Sequence, residues 1–385
     1  MRSFNKTILL ITISVVLTGC NSSEENLGDV IDDAPIISEE SDFYYGADIS
    51  YVNEMEDCGA IYKDRNGTEN DAYQIFKEEG ANLARLRLWH NPIWTDYSNL
   101  EDVKTSIQRA KALDMDVLLN FHYSDIWADP SSQQIPAAWM SEIDNIENLG
   151  NLLYDYTYQT LNELSSLNLM PEIVQIGNEI NGMILQDGEL EWPIDWERNS
   201  FLLNKGIEAV RDVSEATNKE IEIMLHIAQP ENGLWWFEQA TQVGVIDFDW
   251  IGLSYYPQWS EFNLADVDVP LSTLMSTYNK KMMIVETAYP FTLDNVDSAN
   301  NILGADALID GYPATQEGQL NYLNQLKNIV ENVGGQGVVY WEPAWVSTNC
   351  STPWGQGSHW DNATLFDNEG QMTLGMQFFN SNLEE

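Results

Sequence analysis

The sequence predicts a single (β/α)8 barrel, an α/β fold with its active site at the C-terminal ends of the strands. Eight short apolar runs recur along the chain, each followed by a longer stretch, several with helical periodicity. Most of these runs end in polar or aromatic residues, and a core strand has no packing reason to end in a carboxylate. No Gly-rich phosphate loop follows the first run, which argues against a doubly wound open sheet. The 385 residues and 44% hydrophobic content suit one barrel with long loops.

In chain order the runs are FYYGADIS (43–50), NLARLRLW (82–89), DVLLNFHYS (116–124), IVQIGNE (173–179), IEIMLHIA (221–228), FDWIGLSYY (248–256), KMMIVETA (281–288) and GVVYWEP (337–343). Their Val, Ile, Leu, Tyr and Phe content is that of buried parallel strands. Helical periodicity marks 70–80, 100–114, 148–167, 199–217 and 317–334. The first run carries Asp48, and the second leads to Arg85, Arg87, Trp89 and His90. The third ends on Asn120, His122, Tyr123, Ser124 and Asp125, the fourth on Asn178 and Glu179, and the fifth on His226 and Gln229. The sixth closes with Tyr255 and Tyr256, the seventh with Glu286 and the eighth with Trp341 and Glu342. Brought to one rim, these residues describe a polar pocket walled by aromatics. Trp235 and Trp236, opening a helix-like stretch, read as packing.

Composition narrows the partners. There are 17 basic residues against 61 acidic, a formal net charge of −44, a field that repels nucleic acid and anionic membranes and disfavours anionic polysaccharides. A neutral glycan is compatible, and the 14 Trp and 17 Tyr suit stacking against the apolar face of a pyranose. Residues 1–19 read as a signal peptide, with Arg2 and Lys6 ahead of an apolar run too short to span a bilayer. Leu17-Thr18-Gly19-Cys20 resembles a bacterial lipobox, which implies cleavage before Cys20 and lipidation of its thiol. Residues 20–42 are then an acidic tether, and 43–385 the catalytic domain. The acidic stretch after Cys20 resembles a surface-export signal, so the expected location is the outer membrane, facing outward. Cys58 and Cys350 are compatible with either a bridge or two free thiols. Nothing points to an oligomer, and a monomer is expected.

Carboxylates ending strands four and seven can flank a glycosidic bond, one protonating the leaving oxygen and the other attacking the anomeric carbon or activating water. Asn178-Glu179 and Glu286 resemble the catalytic pair of the clan of retaining barrel glycosidases that includes cellulases, mannanases and galactanases. YYGADISYVNEME (44–56), LLNFHYSDIWADP (118–130), IVQIGNEINGMI (173–184), MIVETAYPF (283–291), YWEPAW (340–345) and WGQGSHWDNATLFD (354–367) together resemble family 53 of the glycoside hydrolases, the endo-β-1,4-galactanases, over residues 44 to about 380.

The resemblance implies Glu179 as acid/base, Glu286 as nucleophile and Asn178 on the sugar 2-hydroxyl. Arg85 or Arg87 would hold Glu286 ionised, while Glu286 and partial desolvation would raise the Glu179 pKa. The expected substrate-binding set is Asp48, Arg87, Trp89, His122, Tyr123, Asp125, Asn178, Tyr255, Trp341 and Trp345, with Trp89 and Trp345 as stacking platforms. Glu342 is expected to brace the eighth loop. No cofactor is required for the chemistry. Bacterial members of the family can hold a structural calcium, and Asn295, Asp297, Asn301, Ser358 and Asp361 offer hard oxygens for one, although Ala299 interrupts the alternation. The expected substrate is β-1,4-galactan, including type I arabinogalactan side chains of pectin. The competing activities are those of a mannanase, a cellulase or a non-catalytic surface glycan-binding protein.

Overall fold

The computed structural model describes residues 43–188, 190–352 and 354–380; the signal segment, Cys20 and the acidic tether lie outside them. Eight parallel strands close into a barrel in chain order, with the last pairing back onto the first. They are β1 (Tyr44–Asp48), β2 (Leu83–Leu88), β3 (Asp116–Phe121), β4 (Ile173–Ile176), β5 (Glu222–Ala228), β6 (Trp250–Ser254), β7 (Lys281–Thr287) and β8 (Gly337–Trp341). Each falls within its apolar run, because both faces of a barrel strand are buried.

The connecting helices are α1 (Val52–Asp57), α2 (Ala72–Glu79), α3 (Leu100–Ala112), α4 (Ile146–Ser166), α5 (Trp196–Thr217), α6 (Pro230–Gln242), α7 (Asp268–Tyr278) and α8 (Gln316–Asn332). Polar residues start many of them. Asp71, Asn99, Asn145, Asp195 and Thr315 each accept a backbone N–H of the first turn, satisfying donors that a helix leaves unpaired. After β8 a short 3-10 turn, Leu374–Phe379, returns under the barrel, where Phe378 packs on Tyr45 and Phe379 on Phe76.

Strand alternation stacks the barrel interior in layers. Leu83, Leu118, Ile173, Met224, Trp250, Met283 and Val339 belong to one buried apolar cluster. Two residues further along the same strands stand Arg85, Asn120, Gln175, His226 and Trp341. An apolar plug thus floors a polar layer. Strand β7 breaks the alternation. Leu253 pairs with Ile284 but Ser254 pairs with Glu286, leaving Val285 as an extra residue, and the β8 side shows the same slip. Such a bulge re-aims the residue after it, and here it turns Glu286 inward opposite Ser254.

Cys58, just past α1, and Cys350, beyond β8, form a disulfide with their Cα atoms 5.7 Å apart. This settles the open question in favour of the bridge.

Candidate active site

The two glutamates reach the rim by different local means. After β4 the backbone turns through Gly177 at φ 78° and Glu179 at φ 45°. A left-handed conformation at a non-glycine residue is costly and persists where surrounding structure enforces it. The Glu179 N–H donates to His226 Nδ1, and the next amide, Ile180 N–H, donates to the His226 carbonyl. Glu286 arrives on the β7 bulge. The result is close opposition: a carboxylate oxygen of each glutamate and a ring nitrogen of His226 all lie within 4.8 Å of one another.

Arg85 organises this centre. Its Nη1 donates to Asp48 Oδ2 at 2.9 Å and to Glu286 Oε2 at 3.0 Å, and its Nη2 to Asn178 Oδ1 at 2.8 Å. The Tyr256 hydroxyl donates to the other oxygen, Glu286 Oε1, at 3.1 Å. Gln175 links Arg85, Asn120 and His226, and Asn178 Nδ2 is fixed on the Ala128 carbonyl. On the opposite side Ser254 Oγ donates to Glu179 Oε1 at 2.5 Å and lies 2.8 Å from His226 Nε2. Glu179, His226 and Glu286 make a poor metal site, because both ring nitrogens of His226 are engaged and the Arg85 cation already occupies the centre.

Above these groups lies a cavity of about 320 Å³, lined by Trp127, Asp129, Asn178, Trp341, Trp345 and Trp354 along with the two glutamates. Asn178, Trp341 and Trp345 therefore line the site as expected. Seven other expected substrate contacts do not line it. Asp48 is buried and spends its oxygens on Arg85 and Ser50. Arg87 is buried among the rings of Tyr51, Trp89 and Trp127, 4.3–4.6 Å from each centroid, and pairs with Glu342 at 3.1 Å. Trp89, 1% exposed, is part of that stack and offers no platform. His122 is buried under Trp89 and Trp127 and accepts the Ala128 N–H. Tyr123 turns away from the barrel axis to Thr157 on α4. Asp125 braces loops by accepting the N–H groups of Asn91 and Ala137. Tyr255 is buried with its hydroxyl on the Phe262 carbonyl, and its neighbour Tyr256 does the work at the site. Between the candidate partners for Glu286, the structure selects Arg85. Glu342 braces the loop after β8 as expected, accepting from Arg87 and the Tyr51 N–H.

The profile of glycosyl hydrolase family 53 matches residues 44–379. The chain belongs to that family. An arabinogalactan endo-beta-1,4-galactanase of Cellvibrio japonicus is 54% identical over 333 residues, covering 86% of this chain and 88% of that protein. An endo-beta-1,4-galactanase of Bacillus subtilis is 32% identical, covering 88% and 85%. Among solved structures, the family 53 catalytic domain of Ignisphaera aggregans superposes with a TM-score of 0.81 at 32% identity, covering 91% of this chain and 99% of that one.

In this family 53 hydrolase the two carboxyls are electrostatically unequal. Burial, then the charge of Glu286, pushes the Glu179 carboxyl up to about 8. Burial raises Glu286 as well, but Arg85 and the Tyr256 hydroxyl both favour its charged form. Glu286 therefore ionises first and Glu179 keeps the proton. Burial and the Arg85 charge hold His226 well below the usual imidazole range, so it stays neutral. Ser254, Gln175 and Trp127 escaped the sequence reading, which places Tyr256 on the rim but names Tyr255 instead for the substrate. Ser254 had a usable signal, since it lies four residues beyond Trp250 on the inward face of β6. Because the Ser254 hydroxyl stabilises the charged form of Glu179, Ser254→Ala should move the Glu179 pKa further up. A carbon-13 NMR titration of the labelled carboxyl reads this directly, and a downward shift would contradict the bond.

Proposed function

We propose that this chain is an endo-acting, retaining β-1,4-galactanase that cleaves galactan and the type I arabinogalactan side chains of pectin, with Glu179 as acid/base and Glu286 as nucleophile. The observation that carries the mechanism is the close approach of the two carboxyl groups, one oxygen of each lying within 4.8 Å of the other. Retaining pairs sit about 5–5.5 Å apart, whereas inverting pairs leave about 6.5–9.5 Å for a water. Galactan as substrate is supported by the relatives from Cellvibrio japonicus and Bacillus subtilis, both named as endo-beta-1,4-galactanases.

In the first step the ionised Glu286 attacks the anomeric carbon while Glu179 gives its proton to the departing glycosidic oxygen. Arg85 and Tyr256 hold the Glu286 oxygens in place for attack. As the covalent galactosyl ester forms, the Glu286 charge disappears and the Glu179 proton has left. Glu179, now a base, takes a proton from water, which hydrolyses the ester with net retention. Asn178, gripped by Arg85, Asn120 and Ala128, is set to bond the 2-hydroxyl, a contact that strengthens in the transition state. The complete carboxylate pair and the raised Glu179 pKa disfavour a merely glycan-binding barrel.

Potato galactan, mannan and a cellulose derivative, incubated separately, should yield oligosaccharides from galactan alone by chromatography. Release from mannan or cellulose would overturn the substrate. Glu179→Gln should cut turnover by roughly 10²–10⁴-fold while retaining oligosaccharide binding; near-normal turnover would remove Glu179 as the acid.

The N-terminal segment supports a lipid-anchored protein facing outward on the outer membrane. Metabolic labelling with a fatty acid should mark the protein, and Cys20→Ser should abolish the label and release the protein from membranes. A Cys20→Ser protein that keeps both label and membrane association would refute the anchor.

A structural calcium between the loops after β7 and β8 is supported by the oxygens gathered there. Asp361 Oδ1 and Asn301 Oδ1 are buried without partners, as two ligand oxygens would be. Asp297 faces the backbone of Ala299 and Ser358 and the Ser347 hydroxyl, and Ala299 contributes only backbone atoms. Asn295, Asp297, Asn301, Ser358 and Asp361 would hold the ion, which would tie the two loops without entering the chemistry. Added calcium should raise Tm in the wild type and leave Asp361→Asn unmoved; an equal response in both would refute the site.

A further inference from the structure

The substrate cleft does not stop at the two glutamates. A second arm, of about 680 Å³, begins at Glu179 and Glu286 and runs over Asn181, Gln229, Asn232 and Trp259. Its floor is fixed, since Asn181 and Asn232 both donate to the Ala228 carbonyl. Asn232 lies in the first turn of α6, and Trp235 stands three residues on, on the same exposed face, about 4.5 Å further along the axis.

Trp235 corrects the expectation of two packing tryptophans. Trp236 is fully buried, but Trp235 is 38% exposed. Against it lies Trp192 from the loop after β4, 68% exposed, with ring centroids 5.5 Å apart. The half-buried Trp196 packs on both Trp235 and the buried Trp236, so Trp235 is tied to the core through an aromatic contact. Trp259, 50% exposed, is held to the same side, because Ser260 Oγ and the Glu261 N–H both donate to the Glu231 carboxylate on α6.

Scattered exposed aromatics need no explanation, but two exposed indoles in mutual contact, one on the same helix face as the cleft residue Asn232, do. We propose that Trp192 and Trp235 form a distal platform on which the leaving-group half of the galactan chain stacks, an inference that rests on the galactanase reading. The acid fixes the direction. Glu179 must stand beside the glycosidic oxygen, and the arm that passes Asn181 and Asn232 leaves from the loops after β4 and β5, so it takes the departing half. The other arm, walled by Trp127, Trp345 and Trp354, takes the half bound through Glu286. The surroundings select the ligand. Glu191, Asp195 and Glu197 are exposed beside the pair, which disfavours an anionic polymer or an anionic lipid surface. A neutral galactopyranose needs only its apolar C–H face to meet a flat indole.

The platform lies beyond the sugars next to the cleaved bond, so long chains gain from it and short ones do not. The test compares kcat/KM on polymeric galactan with kcat/KM on galactotriose, the ratio cancelling any general loss from misfolding. Trp192→Ala with Trp235→Ala should lower that ratio roughly tenfold, chiefly through KM on the polymer. Phe at both positions, which keeps a ring, should restore most of it. A wild-type ratio in the double Ala variant overturns the platform while leaving the galactanase reading intact. An equal loss in the Phe variant would also overturn it, because that loss would then not follow the stacking surface. No release from galactan by the wild-type protein would overturn the galactanase reading and the platform with it.

Discussion

Arg85 is the constraint around which the interior is arranged. Its guanidinium is 1% exposed and meets carboxylates on two sides, Asp48 and Glu286. A buried cation is tolerable only when it is paired and its remaining N–H groups are satisfied. Asp48, Glu286, Asn178 and Gln175 meet that demand from three strands, β1, β7 and β4 with its C-terminal end. Because all of them are needed to satisfy one group, their geometry is fixed before any sugar arrives. The same arrangement decides the proton inventory: Arg85 and the Tyr256 hydroxyl favour the charged form of Glu286, and burial beside that charge keeps Glu179 protonated.

Arg87 lies two residues further along the same strand face and has another task. Three aromatic rings enclose it and Glu342 neutralises it. Cation–π contacts of this kind strengthen when desolvated. The stack anchors Trp127, which is both a wall of the stack and a wall of the cavity. Strand β2 thus supplies one arginine that sets charge and one that sets shape.

The barrel was legible because burial on both faces leaves each strand a continuous apolar run, and Glu179 and Glu286 were legible because a carboxylate ending such a run has no packing reason. What failed was facing. Asp48, Arg87 and His122 are expected to meet the sugar, yet Asp48 is taken up by Arg85 and Ser50, and the rings of Trp89 and Trp127 cover Arg87 and His122, since sequence gives the side of a strand but not what covers it. Tyr255 was preferred over Tyr256 because the register slip between Leu253 and Ser254, matched to the Val285 bulge, leaves no trace in hydrophobic pattern. Helix α7 was not delimited because Pro270 and a run of Ser and Thr blur its periodicity. Trp235 and Trp236 were indistinguishable as letters, since only the helix phase separates one buried indole from one exposed.

The disulfide joins residues 292 positions apart, so it converts almost the whole barrel into a covalent ring. Arg85, Glu179, Ser254, Tyr256 and Glu286 all lie inside that ring. A single cut in any surface loop between Cys58 and Cys350 would open the backbone without separating the pieces, and the halves of the barrel would stay at high effective concentration. An enzyme built this way is damaged by proteases in two steps instead of one.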